Sequence, residues 1–439
     1  MQYKMKDSGV EWIGNIPQHW KKCRLKSVLR ILRGSSPRPI EEYLTDSGDG
    51  INWIKIGDTD KGQKSISQTK QKIKPSGIAK SRLVRKGDLL LTNSMSFGEP
   101  YFLEIDGCIH DGWVCFTNLT NINKLFLYYF LCSEFCRIQF QLQVAGGVVQ
   151  NLNIDKIGET ILYLPLAKEQ SAIADYLDEK CGAIDEIIEQ AKATIEEYKA
   201  WKSSVIFEAV TKGLDPNVEM KDSGVEWIGK MPETWELKPF RYFLHERMEK
   251  NSPVKSTERL SLSIELGVTL YSEKTTNLDR FKDDFEQYKL AHEGDLVMNS
   301  MNMIVGASGV SKYFGCVSPA YYTFYDKLPD HASAKYCEYV FRSKAMLRIL
   351  YTLGRGIYAI ERGDDRVNTC RLKVPKEDLK ALLLPSPSIK EQREIINYLD
   401  RKCSAIDEII AEKEALIADM DAYKKSLIFE TVTGKRKVC

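Results

Sequence analysis

The side chains in this sequence that could make and break bonds are few and scattered. Five histidines in 439 residues form neither an HxH nor an HExxH pair, so no metal-ligand set is written along the chain. Gly306-Ala307-Ser308-Gly309-Val310-Ser311-Lys312 has the composition of a phosphate-cradling loop but not the GxxxxGK[ST] spacing. No NPPY or DPPY box, the mark of adenine methyltransferases, occurs. His110-Asp111 stands without the further His or Asp that a catalytic constellation needs. Carboxylates are plentiful, and counting them excludes no nuclease-type centre. Eleven cysteines include no CxxC pair, Cys132 and Cys136 being one helical turn apart, so free and mostly buried thiols are expected. No catalytic residue and no metal ligand is expected on this chain.

What the sequence does offer is hydrogen-bonding groups beside turn residues. Polar side chains on loops can read base edges in a nucleic-acid groove. Candidates for that work in the first half are Ser35, Ser36, Arg38, Asn93, Ser94, Ser96, His110, Asp111, Gln150 and Asn151; in the second half they are Asn299, Ser300, Asn302, Ser318, Arg355, Tyr358 and Arg366. The plainer reading is that Asn, Ser and Asp beside Gly bond their own backbone and form turns. Lys64, Lys70, Lys72, Lys74, Lys80, Arg82, Arg85 and Lys86 crowd one segment almost free of acid. Such a run suits phosphate contacts and salt-dependent binding, or else is a solvated charged face. The formal net charge is only +2, so any basic surface must be local. Lys435-Arg436-Lys437 reads as a frayed tail.

The elements that must position these groups are written twice. Met5–Gly14 (MKDSGVEWIG) recurs unchanged as Met220–Gly229, and Pro17 and Trp20 return as Pro232 and Trp235, an offset of 215. A second block follows in each half. Glu169-Gln170, Tyr176-Leu177-Asp178, Lys180-Cys181 and the run from Ala183 to Ile188 return at an offset of 222, from Glu391-Gln392 to the run from Ala405 to Ile410. Ile206-Phe207-Glu208 and Ile428-Phe429-Glu430 keep that offset, so the stretch between the two blocks gained seven residues. In the second block Ile184, Ile188, Ala191, Ile195, Tyr198 and Val205 recur in steps of four and three, with Lys202 on the seam. Ile406, Ile410, Ile417, Met420 and Leu427 repeat the pattern, interrupted by Lys413 and Lys424. Two helices with coiled-coil seams are expected, the first from about residue 183 to 211 and roughly 40 to 45 Å long. Pro165 and Pro385 exclude helix upstream, and Ser388 with Glu391 reads as a capping box. The first copy has Leu166 in place of that serine.

Between the repeated blocks lie variable stretches, roughly 25 to 160 and 240 to 380, rich in short strands bounded by Gly, Asp and Asn. They share Gly87-Asp88-Leu89 with Gly294-Asp295-Leu296, Asn93-Ser94-Met95 with Asn299-Ser300-Met301, and Gly107-Cys108 with Gly315-Cys316. One fold carrying different loops is the expectation. Trp12, Trp20, Trp227 and Trp235 are either base-stacking platforms or core anchors, and their fixed repetition favours packing. Asp178, Glu179, Asp185, Glu186, Asp400, Asp407 and Glu408 are expected on outer helix faces, as partner contacts or as a solvated surface. No segment approaches the roughly 18 apolar residues of a membrane span, and the polar start suggests no leader, so a cytoplasmic protein is expected.

The GVEWIG opening with its following Pro and Trp, the GDL strand, the LP…EQ…YLD…AIDEII helix and the duplication of the whole unit together resemble the specificity subunits of type I restriction-modification systems. The resemblance covers essentially all of the chain. It implies an α+β architecture. Two α/β target recognition domains are separated by two long repeated helices packed as an antiparallel coiled coil in a pseudo-twofold tandem repeat. The implied division is a first recognition domain at 1–165, a spacer helix region at 166–213, a second recognition domain at 214–386 and a second spacer region at 387–439. Each domain would read one half of a split, asymmetric double-stranded DNA site. The helices would set the half-site spacing and dock two methyltransferase subunits, and through them restriction and translocase subunits. S-adenosylmethionine, ATP and Mg would sit on those partners and no cofactor on this chain.

Overall fold

A computed structural model of the protein describes residues 4–59, 62–94, 97–144, 152–274, 284–356, 361–362, 366–367 and 372–438. The chain forms two compact units, Met1–Lys192 with Glu414–Cys439, and Ala193–Lys413. Each long helix gives one part of its length to each unit.

In the first unit a five-stranded sheet runs in the order Arg30–Arg33, Trp113–Thr117, Leu89–Thr92, Pro100–Leu103, Ser65–Ile66, antiparallel except at the last pair. Leu89, Leu90 and Leu91 are all buried because the strand is covered on both faces. Successive side chains of a strand point to opposite sides. Leu89 and Leu91 accordingly join Val114, Phe116 and the helices Lys124–Cys132 and Glu134–Val144 in one core. Leu90 joins Tyr101, Trp113, Ile54 and Ile109 in another. Ile54 and Ile109 belong to a second five-stranded sheet, ordered Leu44–Thr45, Gln71–Ile73, Ile51–Ile54, Gly107–Ile109, Arg82–Val84.

The second unit repeats the heart of this plan. Its four-stranded sheet runs His245–Glu246, Tyr321–Tyr325, Leu296–Asn299, Ser308–Val310, antiparallel throughout. Leu296 and Met298 face one core and Val297 another, the same alternation as in the first unit. A single serine breaks the covering helix in both units. Ser133 and Ser343 each accept a bond from the amide three residues on, Cys136 and Met346, and so start the next helix. The two variable segments therefore share a sheet and a helix pair.

The repeated aspartate of the Gly-Asp-Leu motif is a turn staple in both units. Its Oδ2 accepts the amide three residues earlier, Arg85 N on Asp88 and His292 N on Asp295, each at 2.8 Å. Only Asp295 is also held by an arginine, with Arg247 Nε at 2.5 Å and Nη2 at 2.9 Å.

The long helices are Ala167–Lys212 and Ile389–Val432, 46 and 44 residues, about 69 and 66 Å at 1.5 Å per residue. The first begins some four turns before the expected seam. Ile173, Ala174 and Leu177 of those turns are buried in the domain core, a role that a seam pattern does not reveal. Ser388 and Glu391 form the expected capping box, Glu391 Oε2 receiving Ser388 N at 2.9 Å and Ser388 Oγ receiving Glu391 N at 3.3 Å. At the first helix Glu169 Oε2 alone receives Leu166 N at 3.2 Å. Within the first unit the helices pack antiparallel, Asp185 meeting Lys424 while the earlier Tyr176 meets the later Arg436. Within the second, Lys202 meets Asp407, and the later Val205, Ala209 and Val210 share a core with the earlier Ile395, Ile396 and Leu399. The seam lysines and their aspartates obey the repeat, since Asp185 and Lys202 plus 222 give Asp407 and Lys424. Ile184, Ile188, Ile195, Val205, Ile406 and Leu427 are buried, and Ile410 and Ile417 half-buried.

Trp20 and Trp235 are buried core residues. Trp12 packs against Phe135 and Phe429, and Trp227 against the second core. The C-terminal basic run is not frayed at Arg436. Its guanidinium pairs with Glu430 at 2.9 Å, and the preceding Gly434 lies so close to Pro17 that a Cβ there would come within 2.3 Å of the ring. The nine described cysteines are all free. Burial pushes Cys115 and Cys132 up to about 12, so these thiols are packing groups. Among the described residues no helix is long and apolar enough to cross a membrane.

Candidate nucleic-acid interface

In the first unit, strand Arg30–Arg33 leads into a loop that crosses directly over the turn at His110. Gly34 N donates to Trp113 O at 2.8 Å and Ser35 N to Ile109 O at 3.1 Å. A Cβ on Gly34 would lie 1.9 Å from His110 O, so glycine alone permits the crossing. The crossing brings two distant segments together. Ser36 Oγ donates to Asp111 Oδ1 at 2.8 Å, Arg33 Nε to Asp111 O at 3.0 Å, and Arg38 Nη2 stands 3.8 Å from Asp111 Oδ2. Ser35 Oγ donates to Lys80 O at 2.8 Å, and Arg82 Nε to Arg33 O at 3.3 Å. The Ser36 hydroxyl holds the Asp111 carboxyl below the usual carboxylate range. Burial lowers the His110 pKa against the opposing charge of Asp111, which keeps the ring neutral near pH 7. Beside this cluster opens a cavity of about 780 Å³, with Ser36, Arg38, Glu41, Lys55, Gln71 and His110 as polar walls and Trp53 among the apolar ones.

Ser35, Ser36, Arg38, His110 and Asp111, five of the residues singled out from sequence, thus share one face. Asn93 and Ser94 lie behind it. Asn93 is buried and donates its amide to Gly112 O at 3.0 Å, and Ser94 abuts Gly112, so in this conformation Asn93 supports the face without reaching its surface. Ser96, Gln150, Asn151, Tyr358 and the side chain of Arg366 lie outside the described residues.

The basic run is less uniform than its sequence suggests. Lys64 pairs with Asp178 of the first long helix and lies over the rings of Phe102, Tyr128 and Tyr129, so it tethers the sheet to the helix. Arg85 pairs with Asp106 at 2.8 Å. Lys74 donates to Glu42 O at 2.7 Å and Lys80 to the Tyr43 hydroxyl. Lys70, Lys72, Lys74, Lys80, Arg82 and Lys86 form no ion pair among the described residues, which leaves their charge available.

In the second unit Asn299 Oδ1 accepts Met301 N at 3.1 Å, a turn role, and Ser300 is fully buried with its carbonyl accepting Val374 N at 3.0 Å. Asn302 is exposed, and Ser318 Oγ accepts Ala320 N at 3.3 Å. Arg355 is exposed, pairs with Asp378 at 2.7 Å and is bridged through its backbone to Lys373. Asn299 and Ser300 therefore build the turn, while Asn302 and Arg355 reach the surface.

Residues 17–197 match the type I restriction modification DNA specificity domain. Over 99% of its length the chain is 23% identical to the type I restriction enzyme MjaX specificity subunit of Methanocaldococcus jannaschii, covering 98% of that protein. Its fold is similar to a chain from a structure of type I R-M system assembly and conformational transition, with a TM-score of 0.67 and 14% identity over 96% of this chain and 99% of that one. It is also similar to the HsdS subunit of Thermoanaerobacter tengcongensis, with a TM-score of 0.51 and 15% identity over 96% and 98%. Along its whole length the chain is similar to the type I restriction-modification specificity subunits. Its work is sequence-specific DNA recognition, and the first specificity domain contains the Ser36, Arg38 and Asp111 cluster.

Four of the helix acids expected to face partners are engaged within the chain. Asp185 pairs with Lys424 and Asp407 with Lys202, Asp178 takes Lys64 and the Tyr129 hydroxyl, and Asp400 takes the Tyr339 hydroxyl. Glu179, Glu186 and Glu408 stay exposed. Sequence reasoning passed over Arg33, Lys55 and Gln71 beside the first cluster, and Lys373, Lys376 and Lys289 in the second unit. The spacing of Lys373, Lys376 and Lys380 by three and four was a legible sign of a charged face.

Proposed function

We propose that this chain is the DNA-reading scaffold of a methyltransferase and restriction assembly and catalyses no reaction itself. Each variable domain reads one half of a split DNA site. The observation that carries the reading is the convergence of Ser35, Ser36, Arg38, His110 and Asp111 on one face, with Lys80 and Arg82 alongside. Arg38 there can donate to base edges and the serine oxygens can accept from them, while the neighbouring cations meet phosphates. The second domain has the same central sheet but offers Asn302, Ser318, Arg355 and Lys373, so its half-site differs and the whole target is asymmetric. The paired helices set the spacing and dock two methyltransferase subunits, through which restriction and translocase subunits join. S-adenosylmethionine, ATP and Mg belong to those partners, and the site of action is the cytoplasm.

Selection of duplexes from a randomised pool by the full chain with its methyltransferase partner tests this. Two unlike fixed tracts separated by a spacer of free sequence are expected. Recovery of unenriched sequence, or of one continuous palindrome, would contradict it.

A further inference from the structure

Lysines in the second unit gather around too few carboxylates. Lys376 and Lys380 share the two oxygens of the Glu246 carboxylate at 2.7 and 2.6 Å. Lys289 lies close enough to feel Glu246, Lys376 and Lys373, and among the described residues its ammonium has only a carbonyl partner, Tyr321 O at 3.0 Å. Arg355 pairs with Asp378, and Glu377 stands 3.6 Å from Lys380. Among the described residues five cations thus face three carboxylates, a surplus of two positive charges. Lys373 is exposed and forms no ion pair among the described residues.

Where this surplus meets solvent there is a cavity of about 480 Å³ lined by Tyr322, Arg355, Lys373, Pro375 and Lys376. Its walls are held in place. The Tyr322 hydroxyl donates to Val374 O at 3.0 Å, and Arg355 and Lys373 exchange backbone hydrogen bonds at 2.9 and 2.8 Å. Like charges held side by side gain from an anion, and Arg with Lys is the pair that holds phosphate oxygens. Burial, together with Lys376 and Lys373, lowers the Lys289 pKa against the pull of Glu246, in keeping with the surplus of positive charge among the described residues.

We propose that this cavity is a phosphate-binding site in which Lys373 and Arg355 hold the anion. It rests on the DNA reading above in one respect, the source of the phosphate. On DNA the site would take a backbone phosphodiester and hold the second domain in register; without DNA it would take free phosphate.

The test compares the full chain with Lys373→Gln and Lys373→Arg, after thermal melting confirms that all three fold. Fluorescence anisotropy with a mixed-sequence duplex across roughly 50 to 200 mM KCl should show a salt slope shallower by about 0.9 in Lys373→Gln, which shrinks the affinity change over that range about 3.5-fold; Lys373→Arg should keep the wild-type slope. That outcome assigns the site to a DNA phosphate. A melting temperature raised by inorganic phosphate in wild type but not in Lys373→Gln, with unaltered salt slopes, assigns it to free phosphate. A steep slope shared by all three proteins with no phosphate response overturns the site and leaves the DNA reading standing. A flat wild-type slope overturns the DNA reading instead, and the phosphate response then decides the site by itself.

Discussion

Replacing the aspartate of the repeated Gly-Asp-Leu motif should have unequal consequences in the two domains. Asp88 accepts one amide, from Arg85, and is half-buried. Loss of one such bond costs about 1 kcal/mol. Asp295 accepts the His292 amide and both arms of Arg247, and its side chain is 2% exposed against 22% for the arginine. Removing one member of a buried pair costs about 3 to 5 kcal/mol, because the other charge is left uncompensated. Glu249, 3.8 Å from Arg247, compensates part of this, which places the expected cost at the lower end, about 3 kcal/mol. At about 1.4 kcal/mol per tenfold, Asp295→Ala should speed amide exchange in strand Leu296–Asn299 by about 100-fold, and Asp88→Ala should speed exchange in Leu89–Thr92 by about 5-fold. Hydrogen-deuterium exchange on the full chain reads both strands in one experiment. Equal acceleration of the two strands would refute the reasoning that the arginine, and not the shared turn, dominates.

Arg38→Ala should relax the sequence preference of the first half-site at one position by about 1 to 3 kcal/mol, measured by competition with single-base variants; an equal loss on every duplex would instead mark Arg38 as a phosphate contact. The Lys424 and Asp185 pair is half exposed on its acidic side, so a double-mutant cycle with Lys424→Met and Asp185→Asn should give a coupling below about 1 kcal/mol by thermal melting. A coupling well above that would mean the seam depends on its charges more than on its isoleucines. Asp111 titrates below its unfolded value, so its contribution is complete above roughly pH 4 and is lost as pH falls through the lowered pKa. His110 is also lowered, so the stability of its neutral form is complete above about pH 6.5 and is lost on acidification below that. Exchange protection of strand Trp113–Thr117 should therefore decline on acidification, the first part of that decline being absent in His110→Gln. An unchanged profile in that variant would count against a buried neutral imidazole.

The helix seams, the capping box at Ser388 and the shared plan of the two domains were legible because they depend on short periods and on repetition. The start of the first helix was not, since its opening turns bury Ile173 and Leu177 against a domain whose packing no heptad count reports. Long-range pairings were equally hidden. Lys64 reads as one more member of a basic run, yet it finds Asp178 far along the chain and three aromatic rings around it. The same holds for Arg247, whose partner Asp295 is recognisable in sequence only as part of a turn motif. At the candidate interface the sequence offered the residue types, but which of them share a face depended on the Gly34 crossing. That crossing gathers Ser36, Arg38 and Asp111, while Asn93 and Ser300 are drawn inward by their backbone bonds.

The central claim is that two unlike reading heads on one chain choose the DNA sequence at which partner subunits act. Sequencing N6-methyladenine in cells with and without this chain, its methyltransferase partner present in both, tests it most directly. A single split motif with two different halves, present only with the chain, is predicted; methylation that persists at the same sites in its absence would contradict the account.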